Sequence, residues 1–163
     1  MRSSEYEIAI VNASPLICLA KSGLLDVLFR VFPKVCIPRS VFDEVMAGPE
    51  DDRARMYLDG SEAFAIVDLA STSEIVREWD LGAGETSVLT CVLEKMNSIA
   101  IIDDAAARKC ARTLSIPYCG SLGVLAKAQK AGAIADLNAC VLALRESGLY
   151  LSQEVVDRLK LNV

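Results

Sequence analysis

The sequence contains no histidine. That absence excludes a Ser-His-Asp triad, a Cys-His pair and the imidazole ligands of most zinc sites. No apolar run approaches the roughly 18 residues that cross a bilayer. The N-terminus, Met1-Arg2-Ser3-Ser4-Glu5-Tyr6-Glu7, lacks the apolar core and cleavage site of a secretory signal, so a cytoplasmic protein without a membrane partner is expected. Six cysteines are present, yet no two form a CxxC pair, which leaves neither a zinc ribbon nor a thioredoxin-like motif. Cys18, Cys36, Cys91, Cys110 and Cys140 each have an apolar neighbour and Cys119 follows a tyrosine, the setting of buried free thiols. Positive charge is not in excess: 17 Lys and Arg against 22 Asp and Glu give a net charge of −5. This disfavours non-specific duplex binding, but a metal-holding carboxylate cluster is acidic by necessity and the cation reverses its local sign.

Just over half of the 163 residues are hydrophobic, at 53%, which marks a globular chain expected to form one domain over 1–163. Short apolar runs at 7–11, 35–37, 64–67, 99–102 and 118–119 read as strands. Between them lie stretches with apolar residues at helical spacing, such as Val88, Leu89, Val92, Leu93 and Met96. Ser14-Pro15 reads as N-cap and first residue of the first helix. A second helix is expected over 24–32, others after Pro38, after Gly82-Ala83-Gly84, over 105–114 and from Ser121 to a stop at Gly132. Further helices are expected from Ile134 to Leu144 and from Ser152 to Leu159. Residues 49–62 are too charged to assign as exposed helix or loop. Strands alternating with helices predict a three-layer α/β/α fold with a mainly parallel sheet.

The polar residues that matter close these elements. Asn12 ends the first apolar run, and Asp103-Asp104 ends the run Ile99-Ala100-Ile101-Ile102. In open α/β sheets the ligand site lies at the C-terminal ends of the strands. Glu44 borders the apolar face of its helix, and Glu85 falls in a first helical turn, where an acid also complements the helix dipole. Adjacent acids after a buried strand gain nothing from burial unless a cation or a donor pairs with them, and capping of the next helix is the competing use for one of them. Arg108 and Arg112, four apart on one helix, face the same way and can contact phosphate oxygens; Lys127 and Lys130 follow on the next.

Five segments in order carry a resemblance: Val11-Asn12-Ala13-Ser14-Pro15-Leu16-Ile17; Ile37-Pro38-Arg39-Ser40-Val41-Phe42-Asp43-Glu44-Val45; Leu81-Gly82-Ala83-Gly84-Glu85-Thr86; Ile101-Ile102-Asp103-Asp104-Ala105-Ala106-Ala107-Arg108; and Gly120-Ser121-Leu122-Gly123-Val124-Leu125. Together they resemble the PIN-domain superfamily, in particular the prokaryotic branch of VapC-like toxins reading Asn-x-Ser-Pro-Leu. The resemblance implies a Rossmann-like PIN fold and a metal-dependent endoribonuclease, the toxin of a toxin–antitoxin pair, with RNA as substrate, a small antitoxin and a second copy of the chain as partners, and Mg²⁺ or Mn²⁺ as cofactor. It places the acidic positions on Asn12, Glu44, Glu85 and Asp104, with Asp103 adjacent, and pocket hydroxyls on Ser14 and Ser121. Many PIN domains have Asp where this chain has Asn12, so one negative charge is missing. A PIN-like protein that binds RNA or antitoxin with weak or no nuclease activity is the alternative.

Overall fold

Two runs with almost no polar residue become neighbours at the centre of the sheet. β1 (Ile8–Val11) and β4 (Ser98–Ile101) pair in parallel, with Ile8 opposite Ser98 and Val11 opposite Ile101. Every residue of β4 is buried, and so are Ala9, Ile10 and Val11 of β1, because helices cover both faces. β2 (Lys34–Pro38) lies on the other side of β1, and the short β3 (Ala65–Val67) and β5 (Tyr118–Cys119) form the two edges. The order is β3-β2-β1-β4-β5, all parallel, in a three-layer α/β/α arrangement. The computed structural model describes residues 5–149, 151, 154–155 and 157–158.

Parallel neighbours need crossovers, and helices supply them. α1 (Ala13–Lys21) and α2 (Asp26–Val31) join β1 to β2; α3 (Arg39–Met46) and α4 (Arg53–Leu58) join β2 to β3. α5 (Glu74–Arg77) and α6 (Ala83–Glu94) then carry the chain from one edge back across to β4, and α7 (Ala105–Thr113) leads to β5. α8 (Ser121–Lys130) and α9 (Leu137–Glu146) follow. Strand progress reverses between β1 and β4, so a crevice opens there at the C-terminal end of the sheet.

α6 is the least amphipathic of the long helices, since Gly84 and Thr86 through Val92 are all buried. Its polar residues are satisfied internally: Thr90 Oγ1 donates to the Thr86 carbonyl at 2.8 Å and accepts from Ser73 N at 3.0 Å. A helix so enclosed holds whatever its first turn presents in fixed position. α1 and α8 both stop at a glycine with positive φ, Gly23 at 73° and Gly132 at 71°. In each the next amide reaches back five residues, Leu24 N to Leu19 O and Ala133 N to Ala128 O, both at 2.8 Å.

The structure departs from the sequence reading at several ends. Residues 53–58 are helical because Asp52 Oδ1 caps them, accepting Ala54 N at 2.9 Å and Arg55 N at 3.2 Å. α5 was not anticipated; four residues are too few to show a period. α9 starts at Leu137, not Ile134, because Asp136 accepts Ala139 N. Ser14 is not the cap of α1: the helix begins at Ala13 and Asn12 holds the cap position. The helix expected from Ser152 to Leu159 lies in part outside the described residues. Among the described residues no helix is long and apolar enough to cross a membrane, and all six cysteines are free.

Candidate active site

Asn12 is fixed first by its backbone. Its N–H donates to Ile101 O at 3.1 Å and its carbonyl accepts from Leu16 N at 3.2 Å, which ties the end of β1 to both β4 and α1. Its side chain, 2% exposed, does not cap the helix it begins. Nδ2 instead donates to Glu85 Oε1 at 3.1 Å, and Oδ1 is buried without a hydrogen-bond partner. A buried amide oxygen left unpaired costs about 1–3 kcal/mol, so its direction is informative.

That direction is given by Gly84. A Cβ on Gly84 would lie 2.9 Å from Asn12 Oδ1 and 3.1 Å from Glu44 Oε2, so both oxygens approach one point. Three elements thus bring three sequence-predicted residues together: Asn12 from β1, Glu44 from α3 and Glu85 from the first turn of α6. The missing side chain of Gly84 makes the approach possible. Burial, and then the charge of Glu85, raise the Glu44 carboxyl above the ordinary glutamate range. Glu44 and the unpaired Asn12 Oδ1 thus both flank Gly84, and a desolvated carboxyl beside another acid favours a proton or a cation as partner.

Across the crevice, Asp103 follows β4 and accepts twice from Ser121, through the backbone N–H at 2.8 Å and through Oγ at 2.6 Å. Gly120 permits this, since a Cβ there would lie 2.7 Å from Asp103 Oδ1. Ser121 is fully buried at the start of α8, so Asp103 anchors that helix to the sheet. Ser14 is exposed in the first turn of α1, one turn before Cys18, a thiol that feels both Ser14 and the charge of Asp103. Asp104 is drawn elsewhere: its Oδ2 accepts from Ala107 N at 2.9 Å as the N-cap of α7, and it is exposed. Asp103 is thus held by the first turn of α8, and Asp104 by the first turn of α7. Asp104→Ala is expected to remove a cap worth about 1 kcal/mol and to lower Tm by about 2–4 °C.

Arg108 and Arg112 both engage Tyr118. The Arg108 guanidinium lies 5.6 Å from the ring centroid, and Arg112 Nε donates to the Tyr118 hydroxyl at 3.3 Å. Sequence reasoning named these residues and the acids, but it missed the two glycines that make room for them. The Gly82-Ala83-Gly84 run and the Gly120-Ser121 pair were the available signals.

The donor set can be tested against a metal. Among the described residues no three His, Cys, Asp or Glu side chains converge to enclose an ion. Asn12 Oδ1, Glu44 and Glu85 supply two carboxylates and one amide oxygen, a partial shell. Such a shell fits a hard cation that keeps several waters, as Mg²⁺ does, and the unpaired Oδ1 is the atom such an ion would satisfy.

A five-stranded all-parallel sheet covered by helices on both faces, with acidic side chains near its switch point, defines a three-layer doubly wound α/β protein. The family model DUF3368, a PIN domain, matches residues 8–162, so the chain belongs to the PIN-domain family. PIN domains are generally nucleases and generally use divalent metal ions. None of the curated proteins compared with the chain matches it.

Proposed function

We propose that the protein is a Mg²⁺- or Mn²⁺-dependent endoribonuclease that cuts RNA phosphodiester bonds at the Asn12–Glu44–Glu85 edge. The observation that carries this reading is the buried, unpaired Asn12 Oδ1 beside Gly84, where Glu44 Oε2 also approaches. Glu44, Glu85 and the amide oxygen of Asn12 hold the cation, and Asp103 and Asp104 supply the acids that follow β4. When bound, the metal supplies an acidified water and neutralises charge that develops on the phosphate. The rest falls to the chain itself. Asn12 Nδ2 fixes the orientation of Glu85, Ser121 fixes Asp103, and Arg108 and Arg112 hold phosphate oxygens of the substrate. A single PIN-like domain over 1–163, a VapC-like toxin role, an antitoxin partner, a homodimer and a cytoplasmic setting complete the proposal on the strength of the motif resemblance.

The test is direct. Purified protein is incubated with labelled RNA in Mg²⁺ or Mn²⁺, and cleavage is expected that EDTA abolishes and added metal restores. Metal-independent cleavage, or none with either ion, sinks the enzyme reading. The second reading, a PIN-like RNA- or antitoxin-binding protein with little nuclease activity, is favoured by one observation: Asn12 brings an amide where a third carboxylate would complete the shell.

A further inference from the structure

Beyond Asp103 lies a cavity for which the nuclease reading names no occupant. It measures about 500 Å³ and is lined by Asp103, Arg108, Tyr118, Leu122, Ala126 and Leu149 among others. Its volume falls in the range of small-ligand sites, about 300–1,000 Å³. One end is the crevice acid Asp103. One wall is β5, which among the described residues pairs with β4 alone. The other walls are the apolar flank of α8 and Leu149.

Charge distinguishes this cleft from an ordinary surface hollow. The chain is acidic overall, yet Arg108 lines the cleft, Arg112 reaches its Tyr118, Lys127 and Lys130 line the adjoining hollow, and none of them forms an ion pair among the described residues. Burial pushes the Cys119 thiol up to about 12, and the charges of Lys127, Asp103 and Arg108 all reach that same thiol. The cations and the acid therefore surround one place. Along α8 the cleft shares Gly123 and Ala126 with a second cavity of about 430 Å³, which Lys127 and Lys130 line. The two cavities adjoin along α8, and Glu5 lines the second beside the two lysines.

We propose that this cleft seats one unpaired nucleoside of the RNA adjoining the cut phosphate, and that Lys127 and Lys130 carry the phosphates that follow. The proposal rests on the ribonuclease reading for the identity of the polymer. The chemistry matches part by part. The Arg108–Tyr118 stack, held by the Arg112 contact to the tyrosine hydroxyl, is a flat cationic and aromatic platform for a base. Leu122, Ala126 and Leu149 supply an apolar wall opposite. The lysines line the adjoining hollow, where a backbone leaves the cleft. A base locked in a duplex cannot turn into such a cleft, so the site selects single strands.

The experiment measures binding in EDTA, where no metal-dependent cut occurs. A labelled single-stranded RNA of about ten nucleotides, long enough to span both cavities, is titrated by fluorescence anisotropy, alone and annealed to its complement. Tight binding of the single strand and at least tenfold weaker binding of the duplex are expected. Ala126→Phe fills the cleft from the exposed flank of α8 and is expected to weaken single-strand binding at least tenfold, as is Tyr118→Ala, while Tyr118→Phe keeps most of it. Circular dichroism and Tm confirm that each variant is folded. No binding by the wild type, equal binding of duplex and single strand, or unchanged binding by folded Ala126→Phe overturns the proposal. Cleavage in Mg²⁺ is scored separately. A wild type that cuts, paired with an Ala126→Phe variant that binds normally, removes the nucleoside seat and leaves the nuclease; binding that Ala126→Phe weakens, without cleavage, does the reverse.

Discussion

Replacing Glu44 by glutamine is expected to slow RNA cleavage by about a hundredfold or more, because a charged metal ligand is lost and about 3 kcal/mol of transition-state stabilisation goes with it. The same change should leave the metal-free protein at least as stable as the wild type at pH 7. Burial and the Glu85 charge raise the Glu44 carboxyl in the fold. A carboxyl whose folded pKa is raised contributes stability that is complete below the ordinary glutamate range and is lost as pH climbs through the raised value. Glutamine has no such loss. Thermal melts in EDTA should therefore show the variant matching or exceeding the wild type at pH 7, with the gap closing near pH 4. In Mg²⁺ the order should reverse, since only the wild type gains stability from the ion. A variant that melts lower in EDTA at pH 7 would mean that Glu44 is a structural partner in the fold.

Asn12→Asp should move stability and function in opposite directions. In the native chain Asn12 Nδ2 donates to Glu85 Oε1 at 3.1 Å. Aspartate removes that donor and sets a third carboxylate against Glu85 and Glu44 in a nearly dry position. A hydrogen bond to a charged group is worth about 1.5–3 kcal/mol, so the melting temperature in EDTA should fall by about 4–8 °C. With metal the same charge becomes an attraction. At an effective dielectric of about 20, two unit charges 4 Å apart interact by roughly 4 kcal/mol. Even after desolvation, at least tenfold tighter Mg²⁺ binding and faster cleavage are expected, measured by calorimetry and by the cleavage assay. Unchanged affinity would show that position 12 does not touch the ion. A large gain in cleavage from a nearly inactive wild type would favour the binding-protein reading of the native chain.

The fold was legible because its signals are local. Runs such as Ile99 to Ile102, apolar without alternation, are what a strand covered on both faces requires, and Gly132 stops α8 where the pattern ends. α5 escaped notice because one turn has no periodicity. The site was legible in part for a different reason. Asn12, Glu44 and Glu85 each stand at an element boundary that can be read one at a time, but their meeting depends on α6 packing without a side chain at Gly84. No local pattern records that distance. Asp103 and Asp104 could not be separated from sequence: both follow the strand, both can cap a helix, and successive residues of an extended segment point in opposite directions. In the fold the first turn of α7 takes Asp104 and that of α8 takes Asp103.

The six free cysteines have a practical consequence. Burial raises every one of these thiols, Cys91 and Cys119 to about 12, so each holds its proton at neutral pH. Alkylating reagents attack thiolates and meet almost none in the intact fold. Cys91 lies in the most enclosed helix, where iodoacetamide reaches it only when α6 leaves the sheet. Its labelling rate is thus a built-in clock for global opening, readable by mass spectrometry without any added probe.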